Sequence, residues 1–271
     1  MRYFDKTHNR LIWLNEKASA DYWSKQWDDQ GIDRSIYKPT SEIARLTAGY
    51  FKPADGPILE AGCGRANHVY ALMKQGYDVT GIDFAESTVQ KAKEIVPELN
   101  IRAGDVLDLP YETGSFSGYW SVGLIEHFWD GFDPLAKEAS RVLKSGGTAF
   151  ITCPYMSPFR RLKASLNRYP LWPAENKSEP ENFYQFGLDQ TVVKETFEKY
   201  GFKCIAKKPL NGIKGFKSEV AWAAPALQKL YDYKGRSYLI RGGRYALTQA
   251  LAYVAGHGIL LVFEKKQTHE L

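Results

Sequence analysis

The chain has 271 residues and a formal net charge of +5, with 44% apolar and 25% charged residues. This is the composition of a globular chain able to bury a core, and it excludes a disordered or low-complexity protein. Three cysteines without CxxC spacing (Cys63, Cys153, Cys204) argue against a disulfide framework or a structural zinc, and the lack of a signal-like or bilayer-length apolar run makes cytoplasmic the expected location, with no metal expected.

Residues 1–56 are read as an N-terminal helical cap, with Tyr22, Trp23 and Trp27 on a helical stretch. Pro57-Ile-Leu-Glu-Ala is a short apolar strand that ends in the turn Gly62-Cys-Gly64. A helical pattern from Ala66 to Gln75 is closed by Gly76. Asp78–Asp83 reads as a strand and Glu86–Ile95 as a helix ended by Pro97. Strands are expected at Asn100–Asp105, Gly118–Val122 and Thr148–Cys153, the last preceded by a helix over Pro134–Leu143 and by Gly146-Gly147. Thr191–Tyr200 continues as helix, Phe202–Lys207 as strand, and the chain closes on an apolar strand from Gly258.

Strands alternating with helices predict a doubly wound α/β fold with a mostly parallel sheet. Right-handed crossovers bring the loops after Glu60, Asp83, Asp105 and Val122 to one edge. Two interruptions break the alternation. The expected organisation is therefore a cap (1–56), a core (57–154), a lid insertion (155–190), and a remainder (191–271) with a second helical insertion at about 209–257.

Gly62 and Gly64 let the backbone approach a ligand, and the following helix turns its free amides toward it. Asp83, 19 residues after Gly64, can accept from both hydroxyls of a ribose. A dinucleotide-binding reading is weakened by Asn67 at the third glycine position. Glu60, just before the turn, suits an ammonium group and would oppose a pyrophosphate.

Ile58-Leu-Glu-Ala-Gly-Cys-Gly-Arg-Ala resembles the first motif of class I S-adenosylmethionine-dependent methyltransferases, with Ala66 where a third glycine is usual. Val79 to Ser87, Ala103 to Pro110, Trp120 to Phe128 and Val142 to Thr148 resemble the motifs that follow, closest to the ubiquinone-biosynthesis-like small-molecule enzymes. The resemblance implies a seven-stranded Rossmann-like sheet with an antiparallel last strand and helical lid insertions. It implies S-adenosylmethionine as cofactor and S-adenosylhomocysteine as product. The implied cofactor contacts are Glu60, Ala61, Gly62, Cys63, Gly64, Asp83, Phe84, Asp105, Val106 and Ser121.

A hydroxyl or ammonium acceptor must lose a proton, and Glu126 and His127 are the candidate bases, although a structural role for His127 is the favoured reading. Tyr22, Trp23, Tyr155, Arg160 and Arg161 are candidates for binding an aromatic or amphipathic, partly anionic small acceptor, with O- or N-methylation favoured. Cys153-Pro-Tyr155 follows the fifth core strand, where nucleic-acid methyltransferases do not carry such a motif, so nucleic acid is not the expected partner. Lys203 to Arg244 holds ten basic residues against two acids. That stretch and the apolar run Tyr245–Val262 leave open a methyltransferase working on lipid at a membrane surface. Packing of this run on the sheet is the preferred reading. A binding protein without turnover is the other alternative. Oligomeric state is not legible.

Overall fold

The structure, a computed structural model, describes residues 1–29 and 31–267. The chain opens with a hairpin, β1 (Arg2–Asp5) and β2 (Arg10–Leu14), then α1 (Ala20–Asp29) and α2 (Glu42–Ala48). Next come β3 (Ile58–Ala61), α3 (Asn67–Lys74), β4 (Val79–Asp83), α4 (Glu86–Ile95) and β5 (Ile101–Ala103). The core continues with β6 (Phe116–Val122), α5 (Asp133–Val142) and β7 (Leu143–Pro154). Then follow α6 (Pro158–Ser165), β8 (Phe183–Gly187), α7 (Gln190–Lys199) and β9 (Phe202–Leu210). Three helices, α8 (Gly212–Glu219), α9 (Ala224–Tyr231) and α10 (Tyr238–Ala255), precede β10 (Gly258–Lys265).

The main sheet has the order β5-β4-β3-β6-β7-β10-β9. Its neighbours are parallel as far as β7, and β10 runs antiparallel to β7 and to β9, as expected. The winding reverses between β3 and β6, so the loops after these two strands open a crevice between them. Side-chain alternation divides the core into two layers. Ile58, Trp120, Phe150, Leu260 and Val262 face one side, and Leu59, Tyr119, Ala149, Ile151, Leu261 and Phe263 the other. On the first side Trp120 stacks on Phe150 at 4.5 Å and donates its Nε1–H to Thr47, which anchors α2.

The reading of residues 1–56 as a helical cap and of 155–190 as a helical lid insertion is corrected, since both carry strands. β1 and β2 pair antiparallel, and β2 pairs with β8 to form a second, three-stranded sheet. The hairpin has a local cause: the Asp5 carboxylate accepts the amides of Thr7 and His8, and Asn9 takes φ 48°. The cap and lid therefore share one sheet and are not separate units. β7 also starts earlier than expected and includes Gly146 and Gly147. The run near the C-terminus does not lie on the sheet as one piece: α10 packs chiefly on α8, and the remainder is β10. Among the described residues no helix is long and apolar enough to cross a membrane.

Candidate functional site

The turn after β3 is held by β4. The amides of Gly62 and Cys63 both donate to the Ile82 carbonyl, and the Gly64 amide donates to Asp83 Oδ2 at 2.7 Å. Gly62 and Gly64 have φ of 75° and 48°, which side-chain-bearing residues resist. Asp83 Oδ1 accepts the Ala85 amide. Each Asp83 oxygen keeps a further lone pair for a ligand hydroxyl. Burial raises the Asp83 pKa, with the amides of Ala85, Gly64 and Phe84 opposing.

Glu60 lies at the end of β3, in register with Trp120 of β6, and is 1% exposed. Its Oε2 has no hydrogen-bond partner among the described residues. Burial, followed by the charge of Asp83, pushes its pKa up to about 8. Beside it, Ser121 pairs in register with Ala61 and also leaves its buried Oγ unpartnered. A buried carboxylate oxygen without a donor is costly to maintain. A ligand ammonium at that place would satisfy it. The glycine cradle, the unpartnered Glu60 oxygen and the Asp83 lone pairs therefore fit the amino-acid and ribose parts of S-adenosylmethionine.

The remaining expected contacts divide. Ala61 and Cys63 are buried in the turn segment. Phe84 is 47% exposed at the rim, so it is free to cover a ligand and is not a core contact. The loop after β5 reaches β4 through the Gly104 amide on the Asp83 carbonyl. In that loop Asp105 is exposed and accepts the Leu107 amide, while Val106 is buried.

α1 closes one side with aromatic rings. Trp27 lies against Gly64, where an added Cβ would sit 3.3 Å from the indole. Trp23 stacks on Trp27 at 5.2 Å and meets His127 edge-on at 5.2 Å. Tyr22 contacts Trp23 and Tyr184. One helix thus spans the glycine turn and the turn after β6, with Trp27 at the first and Trp23 at the second.

His127 lies in a short 3-10 turn after β6, and its Nδ1 is 2.7 Å from the Tyr184 carbonyl. A carbonyl only accepts, so Nδ1 carries the proton. Burial lowers the ring's pKa, while the carbonyls of Tyr184 and Gly123 act in the opposite direction. A ring held between two carbonyls and a Trp edge is a positioned group. Glu126 is 3% exposed, its Oε2 has no partner among the described residues, and burial pushes its pKa up to about 8.

The expectation that Arg160 and Arg161 capture an anion is corrected. Arg160 is fully buried. It pairs with Glu219 at 3.0 Å and donates to the carbonyls of Tyr155 and His257. Glu219 also takes Arg2, Lys163 and the Tyr169 hydroxyl. This hub ties the hairpin, the lid and α8 together. Arg161 pairs with Asp189 and donates to the Met156 carbonyl. Tyr155 is buried under the lid, where it lies among core side chains. Glu219 had drawn attention in the sequence only as one of two acids in a basic stretch, with nothing to mark it as a hub.

An open groove of about 820 Å³ was also not foreseen. It begins at Phe128, one residue past His127, and is walled by Trp129, Trp172, Phe186 and Arg10.

Residues 59–151 match a family model described as a methyltransferase domain. A probable S-adenosylmethionine-dependent methyltransferase of Mycolicibacterium smegmatis is 32% identical over 97 residues, covering 36% of this chain and 37% of that protein. A demethylmenaquinone methyltransferase of Staphylococcus haemolyticus is 30% identical over 173 residues, covering 57% of this chain and 71% of that protein. The chain thus spans little more than a third of the first relative and under three quarters of the second. Among solved structures, the PH0226 protein of Pyrococcus horikoshii superposes with a TM-score of 0.55 at 18% identity, covering 89% of this chain and 99% of that one. At that identity the likeness speaks to the fold alone.

Proposed function

Because this chain belongs to the class I S-adenosylmethionine-dependent methyltransferases, we propose that its acceptor is a small aromatic or amphipathic molecule methylated on oxygen or nitrogen, with Glu126 as the base. The observation that carries this reading is the pair of buried, half-unpartnered carboxylates, Glu60 in β3 and Glu126 in the turn after the neighbouring β6. One pairs with the donor's ammonium group. The other remains for the acceptor's proton.

The bound cofactor supplies an electrophilic methyl group on a sulfonium. The protein's work is alignment, exclusion of water and removal of a proton. Glu60 holds the ammonium, Asp83 the ribose hydroxyls, and the Gly62–Gly64 backbone the segment between them. Trp23 and Trp27 cover the turn and keep water out. Glu126, whose pKa burial raises to about 8, gains its base form as pH rises toward that value. His127 positions the turn through Tyr184.

The groove beginning at Phe128 offers aromatic walls for the body of the acceptor. The likeness to a demethylmenaquinone methyltransferase is in keeping with a quinol-type acceptor. With Arg160 and Arg161 committed elsewhere and Arg10 paired with Asp5, an anionic part of the acceptor rests on Lys177 of the groove.

The test is Glu126→Gln assayed on a panel of phenols, quinols and amines, with S-adenosylhomocysteine affinity measured alongside. Turnover should fall by about 10²-fold or more at unchanged cofactor affinity. The wild-type rate should rise with pH up to about 8, and this rise should vanish in the variant. Unchanged turnover and an unchanged pH profile would remove Glu126 as the base. Tight cofactor binding with no turnover on any acceptor would favour a binding protein.

A further inference from the structure

The α8–α10 arm, inserted between β9 and β10, supplies the hub residue Glu219 from α8, but its outer side takes no part in the site described above. α8 and α10 cross closely at two glycines: a Cβ on Gly212 would lie 2.3 Å from the Thr248 carbonyl oxygen, and one on Gly215 would strike that of Ala255. Thr248, Ala252 and Ala255 therefore face the protein. At 100° per residue, the opposite side of α10 presents Leu239, Gly242, Gly243, Ala246, Leu247, Ala250, Tyr253 and Val254. That side carries no charge. Leu239 is 89% exposed and Tyr253 68%, and Trp222, on the turn before α9, is 85% exposed. A bare apolar helix face of this length is unusual on a lone soluble domain.

The charges around it are one-sided. Residues 221–255 contain five basic residues, Lys229, Lys234, Arg236, Arg241 and Arg244, and one acid, Asp232. Among the described residues Lys229, Lys234, Arg236 and Arg241 have no ion pair and no side-chain hydrogen bond. An open hollow of about 550 Å³ at the start of α10 is lined by Lys234, Arg236, Arg241 and Arg244 against one acid, Asp232, with Tyr231 and Tyr233.

We propose that this arm docks the enzyme on a membrane bearing anionic lipids, with α10 lying in the interfacial plane. Its apolar face enters the boundary between headgroups and acyl chains, and the unpaired cations meet the lipid phosphates. Trp222 and the Tyr side chains suit the wet side of that boundary. The helix cannot span, because α8 holds its other face. Charge decides between the possible occupants: a second copy would set two groups of unpaired cations against each other, whereas an anionic surface complements them. The inference is independent of the acceptor.

The experiment is co-sedimentation with vesicles of phosphatidylcholine, with and without phosphatidylglycerol. The full-length wild type is compared with Lys234→Glu/Arg236→Glu and with Leu239→Ser/Val254→Ser. All these positions are exposed and lie outside the cofactor site, so S-adenosylhomocysteine affinity serves as the control for folding. The wild type should sediment with phosphatidylglycerol vesicles and be released by salt. Charge reversal should weaken binding by at least about fivefold per site, and the serine pair should weaken it further. Failure of the wild type to sediment, or equal binding by all three proteins, would overturn the proposal. So would a lipid-free dimer that the serine pair dissolves, since the face would then belong to a second copy.

Discussion

Replacing Glu60 with Gln isolates one carboxylate whose protonation the fold itself controls. Its pKa of about 8 in the ligand-free protein stands against an ordinary value of 4.5. Between these two pH values the folded state holds a proton that the unfolded chain has lost. Stability therefore falls as pH rises through this window. The cost is roughly 3 kcal/mol near pH 7 and approaches about 5 kcal/mol above pH 8. Glu60→Gln should remove it, so the ligand-free variant should be more stable than wild type at about pH 8, with a flatter dependence of Tm on pH. Binding a ligand ammonium reverses the balance, because the carboxylate ionises to pair with it. At about pH 7 roughly nine-tenths of a proton should then leave per ligand bound, and affinity should rise about tenfold per pH unit up to about 8. Titration calorimetry with S-adenosylhomocysteine in buffers of different ionisation enthalpy measures this release directly. Glu60→Gln should abolish the release and weaken binding by about 10- to 100-fold, the range for a hydrogen bond to a charged group. Equal proton release by the two proteins, or equal affinity, refutes the assignment of Glu60 to the ammonium.

Arg160→Met should lower stability by about 3 kcal/mol, because it takes one cation from the buried Glu219 and one of two donors from each of the Tyr155 and His257 carbonyls. Thermal unfolding measures this, and an unchanged Tm would mean that the hub is dispensable. Ala66 has φ 56° and is fully buried, at the position where the resemblance expects glycine. Ala66→Gly should relieve about 1–2 kcal/mol of left-handed strain and lose about 0.8 kcal/mol of buried methyl. Its Tm should therefore hold or rise by a few degrees, and a clear fall would show that the methyl packing outweighs the strain.

The core strands were readable because each is a short apolar run with a local stop signal. Gly76 takes φ 85° after α3, and Pro97 follows α4 closely. The hairpin was not readable in the same way. β1 and β2 are four and five residues long, and β2 completes its sheet with β8, some 170 residues away. A pairing over that distance leaves no mark in either segment, so the sequence reads them only as parts of a helical cap and a lid insertion. The local cue was present in Asp5 and Asn9, whose turn-forming contacts need only neighbouring amides.

The same division between local and distant contacts runs through the site. Glu60, Gly62, Gly64 and Asp83 fall within one strand-turn-helix-strand unit, and their hydrogen bonds join adjacent parallel strands. Their geometry follows from backbone rules, so the motif alone places them. Arg160 is the opposite case. In sequence it is a cation in an aromatic lid, which is what an anion-binding site would also display. Its role depends on Glu219, 59 residues later and buried by four partners from three segments. A buried ion pair and a substrate-facing arginine differ only in desolvation, which no spacing records. The groove proposed for the acceptor is assembled by such distant contacts: the hub joins the hairpin to the lid, and both segments line the groove at Phe128. Substitutions in the hub should therefore alter the KM for the acceptor before they alter cofactor affinity, because the glycine turn is held by β4 and not by the lid.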